Sequence, residues 1–321
     1  MKVKFFGTRG SIPICNPKAM HYGGNTTCLR VMSECLPSGW ALVVDTGSGY
    51  VPLSLDLIGE KIMNVAILYT HWHHDHTQGL CLAPHTFMPK AQIKVWGPHE
   101  HGIGPVRILT NIMQAPVFPV EFVKLKHRFK CNPLKHIGTQ VLIVHPTAGF
   151  QLMDLNAYRR CVYEEGKQLK INGSFQDVKE CLVIFMYKTD HPEYSVSYRF
   201  QEKPTGKSFV FLTDHENTAS ISNDLLLHVK DADLLVQDSQ YSDHVYRVRT
   251  GGFGHGTPEY CADLMNAAKV NRLGLTHHDP FATDNDVNER VKEAQVRADS
   301  LGIKDVESRI FACADYMEVK V

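Results

Sequence analysis

The chain has no Cys-x-x-Cys pair, and its nine cysteines are odd in number. That usage speaks against a cysteine-type zinc site and against a disulfide framework, and fits mostly buried thiols in a reducing compartment. No apolar run approaches the ~20 residues that a membrane-spanning helix needs. The opening Met1-Lys2-Val3-Lys4-Phe5-Phe6-Gly7 is too short an apolar run for a secretory signal. The expected location is the cytoplasm, with no membrane partner. Neither sign of charge is in excess: 34 basic residues meet 34 acidic ones. The broad positive field of a strong nucleic-acid binder is therefore missing, although a local basic patch would escape this count. Internal repeats, low-complexity segments and an evident interdomain linker are missing too. A length of 321 residues with 43% hydrophobic content suits one large α/β domain, residues 1–321, with a sizeable core.

What is present is an alternation of short apolar runs with helical patterns. Runs rich in β-branched and aromatic residues predict strands at Val3–Phe6, Cys28–Met32, Ala41–Val44, Val65–Tyr69, Gln92–Trp96, Glu121–Leu125, Gln140–Val144, Leu182–Tyr187, Ser195–Phe200, Phe209–Thr213, Leu234–Gln237 and Leu273–Thr276. Helices are expected at Glu100–Gln114, Ser222–Val229, Pro258–Val270 and Asn285–Ser300. The third has a clear start signal, with Thr257 as N-cap and Pro258 in the first turn. The pattern implies two sheets flanked by helices. Residues 126–180 mix Pro, Gly, Lys and Asn with short apolar runs and are read as a variable or inserted region.

Histidine is abundant, at 18 residues, which directs attention to metal and acid–base chemistry. The densest group is Thr70-His71-Trp72-His73-His74-Asp75-His76, directly after the apolar run Val65–Tyr69. In a turn, His71 and His73 can face one point, and Asp75 and His76 a second. Imidazole suits Zn²⁺ and similar ions, and the carboxylate adds a harder oxygen donor, so the spacing supplies ligands for two adjacent metals.

The His-x-His-x-Asp-His pattern resembles that of the metallo-β-lactamase superfamily. The resemblance implies an αββα sandwich of two mixed β-sheets flanked by helices. Asp45, in Val43-Val44-Asp45-Thr46-Gly47, is similar to an early aspartate of that family that supports the metal loop from behind. Further ligands must come from elsewhere, and His191, Asp214 and His277 each follow a predicted strand. By resemblance, His71, His73 and His191 hold one metal, Asp75, His76 and His277 the other, and Asp214 bridges them. His145, also after a strand, stands as an alternative to His191, and His278 as an alternative to His277.

Other motifs narrow the likeness. They are Phe5-Phe6-Gly7-Thr8-Arg9-Gly10-Ser11, Tyr22-Gly23-Gly24-Asn25-Thr26-Thr27-Cys28, His191-Pro192-Glu193-Tyr194-Ser195, Gly254-His255-Gly256-Thr257-Pro258 and Thr276-His277-His278-Asp279-Pro280. As an ordered set they resemble the phosphodiesterase branch, which includes tRNase Z, phosphoribosyl cyclic phosphodiesterase and cyclic-nucleotide phosphodiesterases. That branch implies a dinuclear phosphodiesterase, with zinc as the expected metal and manganese as the alternative, assembled as a homodimer. The expected reaction is attack of a hydroxide shared by the two metals on the phosphorus of a small cyclic phosphodiester, foremost a cyclic nucleotide. His255, as proton donor to the leaving oxygen, and Asp75 are the expected catalytic residues. Asn25, Thr26 and His278 are the expected substrate contacts. The alternatives are tRNA 3′ processing, against which the balanced charge counts, and, in another class, a non-catalytic metal-containing nucleotide sensor. Thiol-ester or lactam hydrolysis is a more distant option.

Overall fold

A computed structural model describes residues 1–163, 166, 168–218 and 220–321. Among the described residues the strands run β1 (Lys2–Gly7), β2 (Cys28–Met32), β3 (Trp40–Val44), β4 (Asn64–Leu68), β5 (Gln92–Pro98), β6 (Phe129–Leu134), β7 (Gln140–His145), β8 (Gly149–Asp154), β9 (Gln168–Ile171), β10 (Ser174–Asp177), β11 (Leu182–Lys188), β12 (Val196–Glu202), β13 (Ser208–Leu212), β14 (Leu234–Asp238), β15 (Arg272–Thr276), β16 (Ile310–Ala312) and β17 (Glu318–Lys320). One sheet has the order β17-β1-β2-β3-β4-β5-β6, and a second β16-β15-β14-β13-β12-β11-β7-β8, with β9 and β10 pairing separately. Both large sheets are mixed. In the first, β3 to β6 are parallel and the rest antiparallel. In the second, β13 to β16 are parallel and β8, β7, β11 and β12 antiparallel.

The central strands are apolar on both faces because both faces are covered. Leu42, Val44, Ala66 and Leu68 of the first sheet meet Phe200, Phe209, Phe211 and Val236 of the second in a shared core. The alternate residues of β3 and β4, Ala41, Val43, Val65 and Ile67, turn outward onto Tyr50, Leu53 and Leu57 of the helix Tyr50–Gly59. Likewise Val210, Leu212, Leu235 and Leu273 pack under the helices Asn223–Val229, Pro258–Ala267 and Asp284–Ser300. The result is helix, sheet, sheet, helix. Among the described residues no helix is long and apolar enough to cross a membrane.

The helix starts follow their caps. Thr257 accepts from the Tyr260 amide, with Pro258 in the first turn. Thr283 and Asp286 form a reciprocal capping box, which satisfies two amides that would otherwise lack partners. Glu121–Leu125, expected as a strand, instead carries the short helix Phe122–Leu125. Phe122 and Leu125, three residues apart, are both buried while Val123 is exposed, a helical rather than a two-residue period. The helix expected at Glu100–Gln114 spans only Pro105–Ile112. His101 and Gly102 take left-handed backbone angles ahead of it, and Pro105 sets its first turn. Residues 126–180 supply β6 to one sheet and β7 and β8 to the other, then the helix Leu155–Tyr163 and the β9–β10 hairpin. Tyr158, Leu169, Ile171 and Val178 pack these pieces on Val141, Ile143 and Val183.

Candidate metal centre

The parallel strands deliver chemically active residues to one edge. Asp45 follows β3, and His71 comes three residues after β4 ends. Asp214 follows β13, Asp238 closes β14, and His277 follows β15. This is the carboxyl-end crevice where open α/β sheets bind ligands. Asp45, Asp214 and His277 each turn off their strand with a left-handed backbone, φ 57°, 49° and 60°. Asp and His tolerate that region better than most side chains. Gly10 passes so close to His277 that an added Cβ would lie 2.5 Å from the ring, and one on Gly254 would lie 2.2 Å from His191. Only glycine lets those two backbones approach.

The ligand atoms of His71, His73, His191 and Asp214 lie within 4.8 Å of one another, and so do those of Asp75, His76 and His277. Asp214 stands between the groups. Its Oδ2 is 3.5 Å from His71 Nε2 and 4.0 Å from His191 Nε2. Its Oδ1 is 3.4 Å from His76 Nε2 and 3.5 Å from His277 Nε2. Asp75 Oδ2 lies 3.2 Å from His277 Nε2 and accepts from the Ser11 amide at 2.7 Å.

Asp45 organises the loop from behind. It accepts from the Thr70 amide at 2.8 Å and the Thr70 hydroxyl at 2.7 Å. Its Oδ2 is also 2.8 Å from His76 Nδ1. A proton on Nδ1 directs the His76 Nε2 lone pair forward. Thr70 Oγ1, having donated to Asp45, lies 3.1 Å from His71 Nδ1, so its lone pair can hold His71 in the same tautomer.

Electrostatics separates the histidines. Burial, aided by the facing His76, keeps His71 well below the ordinary imidazole range, and burial lowers His191. For Asp75 and Asp214 burial alone would raise the carboxyls, but the facing imidazoles outweigh it and hold both low. For His76 and His277 burial opposes protonation, yet the carboxylates prevail; His76 is pushed well up and His277 to about 9. Ionised carboxylates and neutral imidazoles are the forms that bind metals. The buried Nε2 atoms of His71 and His191 have no hydrogen-bond partner, a cost that a metal ion removes. Five imidazoles and two carboxylates in two adjoining groups therefore fit divalent metal ions.

His255 stacks on His277 with ring centroids 5.0 Å apart, and its Nδ1 is 2.8 Å from Asp238 Oδ2. Asp238 is fully buried and was not anticipated from the sequence. It carries the same signature as Asp214, an aspartate closing an apolar run. Two expected substrate contacts are corrected. Thr26 is fully buried, and its hydroxyl accepts from the Ser48 amide and Gln78. His278 is buried with Nε2 2.9 Å from the Cys313 carbonyl, and burial pushes its pKa to about 3. Its ring nitrogens are not among the clustered ligand atoms, whereas those of His277 are. Asn25 is half-buried, with Oδ1 taken by the Ser48 hydroxyl at 3.0 Å. His145 lies outside the cluster, its Nε2 3.0 Å from Glu180.

No family model matches the chain. It is similar to the ribonuclease Z of Clostridium kluyveri, 24% identical with 87% of this chain and 88% of that one covered. It is also similar to that of Thermoplasma acidophilum, 23% identical over 76% and 79%. Among solved structures, the metallo-β-lactamase fold protein YhfI from Bacillus subtilis aligns with TM-score 0.58 at 15% identity, covering 99% and 98%. Human tRNase Z, short form, gives 0.55 at 16%, covering 100% of this chain and 99% of that one. Yeast PDE1 gives 0.62 at 12%, covering 100% and 99%. The architecture is thus the metallo-β-lactamase fold.

Proposed function

We propose that this chain of metallo-β-lactamase fold is a dinuclear phosphodiesterase that hydrolyses a small cyclic phosphodiester, foremost a cyclic nucleotide. The observation that carries this reading is Asp214, whose two carboxylate oxygens face two different groups of candidate ligands. His71, His73 and His191 would hold one metal, Asp75, His76 and His277 the other, with Asp214 shared. Two divalent ions held there would supply Lewis acidity, making hydroxide available at neutral pH and offsetting charge on the phosphate oxygens. Zinc suits the imidazole-rich set, and manganese is the alternative given two carboxylates.

The chain's own part is positioning and proton transfer. The Ser11 amide fixes Asp75. Asp238 accepts the Nδ1 proton of His255, which leaves Nε2 as the ring atom that, when it too carries a proton, hands it to the departing sugar oxygen. A cyclic diester opened in this way leaves a monoester. We cast the enzyme as a cytoplasmic homodimer.

A second reading is ribonuclease Z-like cleavage of precursor tRNA, favoured by the near full-length similarity to two ribonucleases Z. Against it stand the formal net charge of zero and the packing of Tyr158, Leu169, Ile171 and Val178 onto Val141, Ile143 and Val183 of the second sheet. The test is a panel of cyclic mononucleotides, cyclic dinucleotides, 2′,3′-cyclic phosphates and precursor tRNA. Each is assayed with chelator-stripped protein and with protein reloaded with zinc or manganese. Opening of a cyclic phosphate by reloaded protein alone is the expected result. Hydrolysis surviving metal removal would sink both readings, and salt-sensitive cleavage of precursor tRNA alone would select the second.

A further inference from the structure

Each metal-binding imidazole needs its other ring nitrogen held, or the ring spins and the tautomer is undefined. For His71 that partner is the Thr70 hydroxyl at 3.1 Å. The remaining two imidazoles of the same group share a partner, Glu193, to which the sequence motifs gave no role. Glu193 Oε2 is 3.1 Å from His73 Nε2. The Nδ1 of His191 lies 3.3 Å from both the backbone carbonyl and the backbone amide of Glu193. The buried, partnerless Nε2 of His191 is the nitrogen that faces Asp214, so the proton sits on Nδ1 and the Glu193 carbonyl accepts it.

We infer that Glu193 is a positioning residue whose carboxylate fixes His73 while its backbone carbonyl holds His191. This rests on the two-metal reading above. Nε2 of His73 faces the Glu193 carboxylate, so its proton is held there, and the only lone pair left on the ring is on Nδ1. His71 and His191 present Nε2.

Local structure explains why Glu193 can do this. It follows Pro192 in a turn between β11 and β12, and the next residue's amide is tied to Glu100 Oε2 at 3.1 Å. Gly254 packs against the Cδ2–Nε2 edge of His191. The Glu193 side chain itself is 58% exposed, so substitution there removes a hydrogen bond without opening a core.

The experiment titrates zinc into wild-type, Glu193→Ala and Glu193→Gln protein against a chromophoric chelator, with thermal unfolding confirming that all three fold. In Glu193→Ala, one of two zinc ions is expected to weaken by about 10- to 100-fold while the other is unchanged. Glu193→Gln, whose amide oxygen still accepts from Nε2–H, is expected to recover part of that loss. Long-range ¹⁵N–¹H spectra of the zinc-loaded protein should show His73 protonated at Nε2, unlike His71 and His191, and this signature should blur in Glu193→Ala. Equal zinc affinities in Glu193→Ala and wild type, or a His73 ring protonated at Nδ1, would overturn the inference while leaving two-metal binding intact. A wild-type protein that takes up no zinc would overturn both together.

Discussion

The two groups on either side of Asp214 contain the same kind of side chain in opposite states. His71 and His191 are driven neutral by burial. His76 and His277, just as buried, are driven to hold protons by Asp75 and Asp214. Burial alone thus does not decide an imidazole's charge; the local count of carboxylates does. One group is ready for a cation across a wide pH range. The other must first release protons that stand in for positive charge.

The largest disruption of this contrast is Asp214→Asn, which blunts the one carboxylate both groups share. Phosphodiester hydrolysis should fall to background and zinc content should drop well below two per chain, measured by atomic emission. His255→Ala should spare the contrast altogether. Turnover is expected to fall about 10²- to 10³-fold, as for loss of a positioned general acid, with metal content unchanged.

Acidity should separate the two groups. Each proton displaced from a site costs about 1.4 kcal/mol of binding per pH unit below the group's pKa. With His277 raised to about 9, zinc at the Asp75–His76–His277 group should weaken steadily from pH 9 downward, while the His71–His73–His191 group holds until lower pH. Isothermal titration at pH 6 and pH 8.5 should show one site moving far more than the other. In metal-free protein the same raised pKa acts on folding in the opposite sense. Its stabilisation is complete below the ordinary histidine pKa and is lost as pH rises through about 9. Metal-free unfolding midpoints that do not fall over that window would count against this account. Smallest is Asp45→Asn. It weakens the hold on His76 and, through Thr70, on His71, so both groups should lose about tenfold in zinc affinity, without the one-sided loss expected for Glu193→Ala.

Much of this was legible in the sequence because it was local. His71 to His76 run in sequence from the turn after β4 into the first turn of the helix His74–Leu82, and the apolar runs that became β2, β3, β7 and β14 were read within a residue or so of their observed ends. The nonlocal parts were harder. Asp238 matters because the parallel register pairs it with Thr276, which sets it beside His277 and under His255, and no spacing in the chain reveals a register. The Ser11 contribution is a backbone amide and has no side-chain signature. Thr26 and His278 looked capable of binding because they stand in distinctive motifs, but their polar atoms point into the protein. The β16 and β17 edge strands, three residues each, are too short to carry a period.

The placement of the candidate ligands at strand ends has a consequence for how such a protein can diversify. Asp45, His71, Asp214, Asp238 and His277 hang from strands locked into the shared cores, whereas exposed Ile12, Phe253 and Phe281 lie on the connecting loops near them. Loop replacement can therefore retune what is admitted to the crevice while the chemistry beneath stays fixed. Reactivity and selectivity reside in separately mutable parts of one scaffold.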